Sequence, residues 1–570
     1  MPMKTRNFIF LTAVLLSTAC GVNDSDPGDF NVIPYPESVE FYGGRFNAAG
    51  KEFHLDSSLD REIADAAGKF AEHLTLVTGK TSSVSFDDGK RGFIFCKDSL
   101  AQAESYTIQI KRNSVLVSAG DYNGFIWAMQ TLGQMFPPEW YSDAKADVAF
   151  TLPCGCIKDK PRFGYRGVLI DSGRHFFSVE EIKRCLDIMS IYKENRFHWH
   201  LTEDQGWRLE IKKYPRLTEI GSRRAQTQIE FKADSLDGIP HGGYYTQDQI
   251  RDVVDYAAKR GITVIPEIDL PGHMQSALAS YPSLGCTGGP YQVAQTWGVK
   301  KDVLCVGKEE TFTFIEDVLT EVLDLFPSEY INIGGDEVPK DRWENCPACQ
   351  KRIRELGLKD KDGHSAEQYL QNYVTARVQK WLNDRGRKMI GWEEILEGEL
   401  AEGATVMTWR GTGENVDSRI WNYDVVMSPR GYMYIDRYQS HEQDREPFSI
   451  GAYLPVENVY GYEPYDDVPE YGKSRILGVQ ANLWTEFIGT DEYLEYMLLP
   501  RLAALSEVQW CQSSKKEWSR FRKSLDHSVE IYKKLGLTWC EYAWGIVGMG
   551  ENRQKARTAQ ELQQYLDERE

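Results

Sequence analysis

The sequence has little histidine and few basic residues for its length. Of its 570 residues 10 are histidine, and 66 lysines and arginines stand against 85 aspartates and glutamates, for a formal net charge of −19. Nucleic acids and anionic membrane surfaces repel such a chain, because both are polyanions. There is no internal repeat at a fixed period and no low-complexity tract. The composition therefore argues against a nucleic-acid partner and favours a globular protein with a neutral or modestly charged substrate.

The apolar run at the N-terminus is too short to span a bilayer permanently. Residues 8–16 are almost entirely apolar and follow Lys4 and Arg6. A basic start, a short apolar core and small residues after it are typical of an export signal. We therefore expect the protein to be exported.

A single cysteine follows this export signal. Small residues lead to Cys20, as at a bacterial lipoprotein cleavage site. We expect residues 1–20 to be a lipoprotein-type signal peptide, Cys20 to carry the lipid and residues 21–30 to form a polar tether. The protein would then be lipid-anchored in the bacterial envelope, and this anchor would be its only membrane contact. Plain secretion with cleavage near Ala19 is the alternative.

Few residues offer a metal-ligand pattern. Cys346 and Cys349 have one half of a zinc-knuckle spacing, but no second pair is found at a suitable distance. A local disulfide or two free thiols is favoured over a metal there. Cys154 and Cys156 are undecided between the same states. We expect no metal and no cofactor.

The chain is predicted to have two folded parts and a tail. Residues 31–155 have short strand-like runs and two helical stretches, which indicate a small α/β (α+β sandwich) domain that braces the main domain. Residues 156–510 alternate strand, loop and helix, which implies parallel strands with helical crossovers. Residues 511–570 are predicted to form a C-terminal helical tail.

The main domain has eight predicted strands. Eight parallel strands over this length are typical of a (β/α)8 TIM barrel, whose active site lies at the carboxyl ends of the strands. The predicted strands are residues 165–171, 196–202, 263–269, 330–335, 388–394, 405–411, 424–429 and 476–484.

Polar and aromatic side chains collect where these strands end. Asp336 and Glu337 follow the fourth strand, and Trp392, Trp409 and Trp484 lie at the ends of the fifth, sixth and eighth. Tryptophan is often buried for packing alone. Its face also stacks on the C–H face of a sugar ring, and charged neighbours can hold hydroxyls. The pattern therefore favours a carbohydrate pocket.

Six ordered segments resemble the bacterial β-N-acetylhexosaminidases of glycoside hydrolase family 20. The resemblance covers roughly residues 31–510 and depends on Arg166-Gly167 with Asp171 and residues 174–176, then on residues 197–208, 271–273, 334–337, 391–394 and 484–486. It implies an exo-acting enzyme that removes terminal β-linked GlcNAc or GalNAc.

The resemblance also implies a role for each site residue. Glu337 would be the general acid/base, and Asp336 would hold the 2-acetamido group. The other assignments are a hydrogen bond from Tyr434 to the acetamido carbonyl, pocket walls from Trp392, Trp409 and Trp484, and hydroxyl contacts from Arg166, Asp436 and Glu486. His273 and Asp204 are candidates for a supporting network. The chain departs from the family pattern at Glu203, where Asp is common, and at Asn332, where His is common.

The two adjacent carboxylates need different tasks, because consecutive side chains diverge. In a substrate-assisted, retaining mechanism the acetamido oxygen attacks the anomeric carbon and gives an oxazolinium intermediate. Asp336 would then stay ionised and Glu337 would start protonated. We expect the tryptophan walls to raise the pKa of Glu337 by desolvation.

Two other functions are compatible with parts of the sequence. His198 and His200 share one face of a strand, as in metal-dependent barrel hydrolases. Such sites need further histidines on later strands, and after His273 the sequence has only His364, His441 and His527. A non-catalytic glycan-binding surface lipoprotein would use the tryptophans but has no need of adjacent carboxylates.

Overall fold

The computed structural model describes residues 30–397, 403–413, 416–441, 445–541 and 543. The predicted signal peptide, Cys20 and nearly all of the predicted tether lie outside these residues. So does the end of the predicted C-terminal tail. No helix in the described ranges is long and apolar enough to cross a membrane.

The N-terminal part is a seven-stranded mixed sheet with two helices on it. The strand order is β1-β7-β5-β6-β4-β2-β3. The strands are β1 (Ser38–Asn47), β2 (Phe53–Leu55), β3 (Val84–Ser85), β4 (Gly92–Lys97), β5 (Tyr106–Lys111), β6 (Ser114–Ala119) and β7 (Thr151–Asp159), and the helices are α1 (Arg61–Thr78) and α2 (Tyr122–Met135). Alternate residues of β5 are buried, as expected for a strand with one face on a core.

The boundary of this domain differs from the predicted one. The sequence-based boundary at residue 155 falls inside β7, which pairs with β5 up to the partners Tyr106 and Asp159. Pro153 and Gly155 interrupt the apolar pattern of β7. The sequence pattern therefore does not indicate this strand, which continues the sheet for four residues beyond the predicted boundary.

The main part is a closed barrel of eight parallel strands, which confirms the predicted (β/α)8 fold. The barrel order is β14-β15-β16-β17-β18-β19-β8-β9. The strands after the first domain are β8 (Tyr165–Asp171), β9 (Arg196–His200), β10 (Thr202–Glu203), β11 (Gly206–Trp207), β12 (Arg223–Arg224), β13 (His241–Gly242), β14 (Thr263–Glu267), β15 (Tyr330–Asn332), β16 (Lys388–Trp392), β17 (Thr405–Thr408), β18 (Asp424–Met427) and β19 (Ile476–Leu483).

Helices cover the outside of the barrel. Their buried faces pack on the outward side chains of the strands in one large apolar cluster. The helices are α3 (Val179–Ile191), α4 (Arg216–Glu219), α5 (Gln247–Ala258), α6 (Gln275–Ser280), α7 (Glu309–Leu325), α8 (Asp341–Asn345), α9 (Pro347–Leu356), α10 (Ala366–Asn383), α11 (Arg430–Met433), α12 (Val456–Gly461), α13 (Glu470–Lys473), α14 (Asp491–Leu498), α15 (Arg501–Trp510) and α16 (Trp518–Leu535). The last of these lies in the predicted helical tail.

A separate apolar cluster fills the barrel interior. Leu169, Ile265, Ile390 and Met407 are fully buried inside it, and Trp392 closes its upper end. Side chains therefore fill the barrel below any site at the carboxyl ends of the strands.

Buried polar contacts join the two domains. Asp159, at the end of β7, accepts hydrogen bonds from Nζ of Lys193 at 3.0 Å and from Nε1 of Trp510 at 2.9 Å. The side chains of Lys193 and Asp159 are both fully buried. Since breaking a buried ion pair leaves an uncompensated charge, this junction fixes the N-terminal domain against the amino-terminal end of the barrel.

Candidate active site

The turn after β15 carries the two predicted catalytic carboxylates. The strand ends at Asn332, earlier than predicted, because Gly334 and Gly335 take φ values of 63° and 92° and leave the extended conformation. A Cβ on Gly334 would lie 1.9 Å from Oδ1 of Asp269. Only glycine fits there, so the turn brings Asp336 against the barrel mouth.

Glu337 is held in an unusual backbone conformation. Its φ of 46° lies in the left-handed region, which a non-glycine residue adopts only when its surroundings impose it, and such residues cluster at functional sites. The side chain of Glu337 is 40% exposed, whereas that of Asp336 is 16% exposed. The two carboxylates therefore meet different surroundings: Asp336 points inward and Glu337 stands at the rim.

His273 lies between the two carboxylates and a second acidic pair. Its Nε2 is 3.7 Å from Oδ2 of Asp336 and 3.6 Å from Oε2 of Glu337, and its Nδ1 is 2.8 Å from Oε1 of Glu203 and 3.4 Å from Oδ2 of Asp204. Burial lowers the pKa of His273, but Glu203 and Asp204 outweigh it and raise that pKa well above its ordinary value. The imidazole is therefore cationic, and the structure brings His273 and Asp204 together in one charged group.

The order of the carboxyl pKa values differs from the prediction. Burial raises the pKa of Asp336 to about 6, while the neighbouring His273 lowers the pKa of Glu337 despite partial burial. We expected the reverse order. The prediction was wrong for the free pocket, because the imidazolium of His273 lies almost equally close to both carboxylates, and the stronger desolvation of Asp336 outweighs its effect only there.

Aromatic rings form the walls of the cavity. Trp392 and Trp484 have ring centroids 5.8 Å apart, and Trp409 stacks on Tyr434 at 6.3 Å with an interplanar angle of 23°. Tyr434 and Trp484 are also 6.3 Å apart. The indole N–H of Trp409 donates to Oε2 of Glu394 at 3.1 Å, which fixes that ring. The aromatic faces line a cavity rather than fill a core.

The cavity is small and its floor is acidic. Its volume is about 260 Å³, and its lining includes Asp336, Glu337, Asp436 and Glu486. Pockets for drug-sized ligands are about 300–1,000 Å³, so this one suits a single sugar ring. Oδ1 of Asp336, Oδ1 of Asp436 and Oε2 of Glu486 are buried and have no hydrogen-bond partner among the described residues. Burial raises the pKa of Asp436 to about 7.

Glu267 supports the pocket floor from below. It accepts a hydrogen bond from Nε1 of Trp392 at 2.9 Å, and its other oxygen lies 2.9 Å from Nε2 of His198 and 2.5 Å from Nδ1 of His200. Although burial raises the pKa of Glu267, His200 and His198 outweigh it and lower that pKa. Asn332 joins this group through Nδ2, 3.2 Å from Nε2 of His198.

The histidine pair that suggested a metallohydrolase is thus part of this support. Nδ1 of His198 accepts from Nε2 of Gln480 at 3.0 Å, so both of its ring nitrogens have protein partners. Neither His198 nor His200 belongs to a cluster of three or more metal-ligand side chains in the described part of the chain. The pair orients Trp392 through Glu267 and is not arranged as a metal site.

The predicted role of Arg166 is wrong. Arg166 is 1% exposed and lies near the amino-terminal end of β8, away from the cavity. Its guanidinium pairs with Glu104 and donates to the carbonyls of Lys193 at 2.8 Å and Phe163 at 2.9 Å. Because Glu104 belongs to the N-terminal domain, Arg166 is a domain-junction residue.

Arg174 lines the cavity and was left out of the predicted site. Its guanidinium carbon lies 5.0 Å from the ring centroid of Trp484, and it pairs with Asp171 and Glu203. Its position in the segment 174–176, on which the family resemblance depends, was the signal that could have identified it as a site residue. Other cavity residues, which the sequence did not indicate, come from the start of α11 and from the loop that follows it: Arg430, Arg437, Ile450, Gly451 and Ala452.

Family models match both folded parts of the chain. The model described as glycosyl hydrolase family 20, catalytic domain, matches residues 163–513, and that described as glycosyl hydrolase family 20, domain 2, matches residues 29–160. The chain belongs to glycosyl hydrolase family 20. This family 20 chain is also 47% identical over 438 residues to a β-hexosaminidase of Porphyromonas gingivalis; the match covers 76% of this chain and 54% of that relative, about half its length.

Other family 20 proteins cover more of the chain. A β-hexosaminidase of Vibrio furnissii is 33% identical over 512 residues, which are 88% of this chain and 81% of that one. A crystal structure of the family 20 exo β-N-acetylglucosaminidase from Vibrio harveyi in complex with N-acetylglucosamine matches with a TM-score of 0.77 and 31% identity, over 90% of this chain and 79% of that one. These matches confirm the predicted family and two-domain fold.

Proposed function

We propose that this family 20 chain is an exo-acting β-N-acetylhexosaminidase that removes terminal β-linked GlcNAc or GalNAc with retention. One observation carries the proposal. Three buried carboxylate oxygens, on Asp336, Asp436 and Glu486, have no partner among the described residues and face a tryptophan-walled cavity of about 260 Å³. A buried acceptor is costly until it is hydrogen-bonded. The N–H and hydroxyl groups of one aminosugar supply donors for all three.

The arrangement favours a chain-end substrate. The rim carboxylate of Glu337 lies next to the buried one of Asp336, so a ring seated on the floor has its glycosidic oxygen at the rim. The rest of the glycan extends outward from there. Since the cavity has room for one ring, cleavage releases a single sugar.

The first chemical step uses both carboxyl groups. The acetamido carbonyl oxygen attacks the anomeric carbon as the bond to the leaving oxygen breaks, and that oxygen takes the proton of Glu337. Asp336 accepts a hydrogen bond from the acetamido N–H and stabilises the positive charge that spreads over the forming oxazolinium ring. This N–H favours the ionised form of Asp336 and so moves the shared proton towards Glu337.

The second step reverses the proton transfer. A water molecule attacks the anomeric carbon from the vacated side, its proton goes to the carboxylate of Glu337, and the oxazolinium ring opens to the acetamido group. Two displacements at the anomeric carbon give net retention. Tyr434, in the wall beside Trp484, supports the acetamido carbonyl in both steps.

Hydrolysis of nitrophenyl N-acetyl-β-glucosaminide, followed by NMR, tests this function. The β-anomer of the free sugar should appear first and then mutarotate. Release of the α-anomer first would mean inversion, and no release from this and the galactosaminide would leave a non-catalytic glycan-binding protein.

We further propose that the enzyme is exported and anchored through a lipid on Cys20. The support is the sequence of residues 1–30 alone: a basic start, a short apolar core and small residues before the cysteine. Metabolic labelling with a fatty-acid analogue should mark the wild-type chain and not a Cys20→Ser variant. An unlabelled wild-type chain recovered from the medium would instead mean plain secretion.

A further inference from the structure

Four cysteines from distant parts of the chain converge beside the barrel. Cys286 and Cys305 flank a long loop after α6, and Cys346 and Cys349 stand at the start of α9. The sequence spacing does not reveal the partners of Cys346 and Cys349, because Cys305 lies 41 residues before Cys346 and Cys286 lies 63 residues before Cys349. All four sulfur atoms lie within 4.8 Å of one another.

The sulfur positions match the edges of a tetrahedron. Cys305 Sγ is 3.6 Å from Cys346 Sγ and 3.7 Å from Cys349 Sγ, and Cys286 Sγ is 3.9 Å from Cys349 Sγ. A tetrahedral zinc with Zn–S bonds of about 2.3 Å has S···S edges of about 3.8 Å. A disulfide requires sulfur atoms about 2.0 Å apart. The side chains are therefore spaced for one shared metal rather than for two disulfides.

The cluster is largely buried and lies at the amino-terminal end of a helix. Cys305, Cys346 and Cys349 are buried and Cys286 is half-buried. The amino-terminal end of α9, where Cys349 lies in the first turn, favours negative charge.

The backbone holds the two segments together at this point. The amide of Cys305 donates to the carbonyl of Leu284 at 2.7 Å, which brings the two ends of the loop together. A Cβ on Gly307 would lie 2.2 Å from the backbone of Ala348, so the chain after Cys305 packs directly on α9. Backbone contacts alone therefore hold the segments that carry the four cysteines next to one another.

We propose that Cys286, Cys305, Cys346 and Cys349 bind one structural Zn²⁺. Four protein ligands leave no open position, so the metal has no catalytic part. It cross-links the loop to α9. The indole N–H of Trp343 donates to the carbonyl of Leu304 at 2.9 Å, and the amide of Leu304 donates to the carbonyl of Pro271 at 3.0 Å. The site thereby supports the segment that holds His273.

Metal analysis of the full-length protein, purified without chelators from cells grown with zinc, tests the site. We expect about one zinc per chain, and mapping of alkylated cysteines should show that Cys286, Cys305, Cys346 and Cys349 react only after zinc is removed under denaturing conditions. Intact mass should show no loss of hydrogen from these cysteines. A chain without zinc whose mass lacks two hydrogens per disulfide, or one with four freely reactive thiols, would overturn the proposal.

Single substitutions test which cysteines bind the metal. Cys286→Ser and Cys346→Ser should lower the zinc content well below one per chain and lower Tm by at least about 5 °C. Cys96→Ser is the matched control, because Cys96 lies on β4 of the other domain; it should keep both values. If the cluster variants fail to fold, replacement of zinc by Co²⁺ in the wild-type chain still decides: a tetrahedral tetrathiolate gives intense thiolate-to-cobalt charge-transfer absorption, and its absence with stoichiometric cobalt bound would contradict the assignment.

Discussion

Nε2 of His273 lies 3.6 Å from Oε2 of Glu337, and the imidazole is cationic. This pairing explains why the acid of the proposed reaction has a lowered pKa in the free pocket, while burial raises the pKa of Asp336 to about 6. The two carboxyl groups therefore share one proton over a range of acidic pH, and the substrate's N–H shifts that proton to Glu337. The proton of the reaction belongs to the pair rather than to one residue.

The first prediction concerns pH. Catalysis needs one proton on the pair, and that proton is lost as pH rises through the pKa of Asp336, about 6. We expect kcat/KM to fall with rising pH above about 6. In His273→Gln the lost positive charge no longer favours the carboxylates, so both carboxyl pKa values rise and the descending limb moves to higher pH. If the descending limb of the kcat/KM profile stayed at the same pH while kcat fell, His273 would act only through packing.

The second prediction separates acid catalysis from binding. Glu337→Gln should lower kcat by about 10²–10⁴-fold on a disaccharide, because general acid–base catalysis contributes that much. The loss should be smaller for an aryl glycoside whose leaving group needs no proton. The affinity for GlcNAc should stay within a few-fold of wild type. An equal loss on both substrates, or full activity, would contradict the role of Glu337.

The third prediction isolates Asp336. A stable thiazoline analogue of the oxazolinium ring carries, once its ring nitrogen is protonated, the charge and N–H that Asp336 is proposed to hold. Asp336→Asn should weaken its binding at least tenfold, whereas Glu337→Gln should not. The turnover of 2-acetamido sugars should also fall, by about 10²–10³-fold. Unchanged thiazoline affinity in Asp336→Asn would remove Asp336 from this role.

The fourth prediction concerns Arg166, which lies at the domain junction. Arg166→Met removes the ion pair of Glu104, whose side chain is only 15% exposed and keeps hydrogen bonds from Trp127 and Asn195. Breaking such a pair costs about 3–5 kcal/mol, so Tm should fall while KM stays unchanged. The double variant with Glu104→Gln should recover part of the loss. A raised KM with an unchanged Tm would return Arg166 to the sugar site.

Much of the site could be predicted from the sequence because a barrel collects the ends of its strands in one place. Asp336, Trp392 and Trp484 needed only the strand assignments and that rule to be brought together. The same rule could not place Arg166, whose direction depends on a partner in the other domain, 62 residues earlier.

Two other features depend on contacts that spacing does not encode. The cysteine cluster requires the loop after α6 to return to α9, and nothing in residues 286–305 predicts that return. The pKa order of Asp336 and Glu337 depends on which carboxylate lies nearer the rim and on the charge of His273. Both follow from tertiary packing.

The central claim is that the nucleophile is the substrate's own acetamido oxygen. A series of aryl β-glucosaminides whose N-acyl group carries zero, one, two or three fluorine atoms tests it directly, since fluorine weakens that oxygen as a nucleophile and changes little else. We predict that kcat/KM of the wild-type enzyme falls steeply with each fluorine. A rate that stays level across the series would mean that a protein side chain attacks, and would contradict the account.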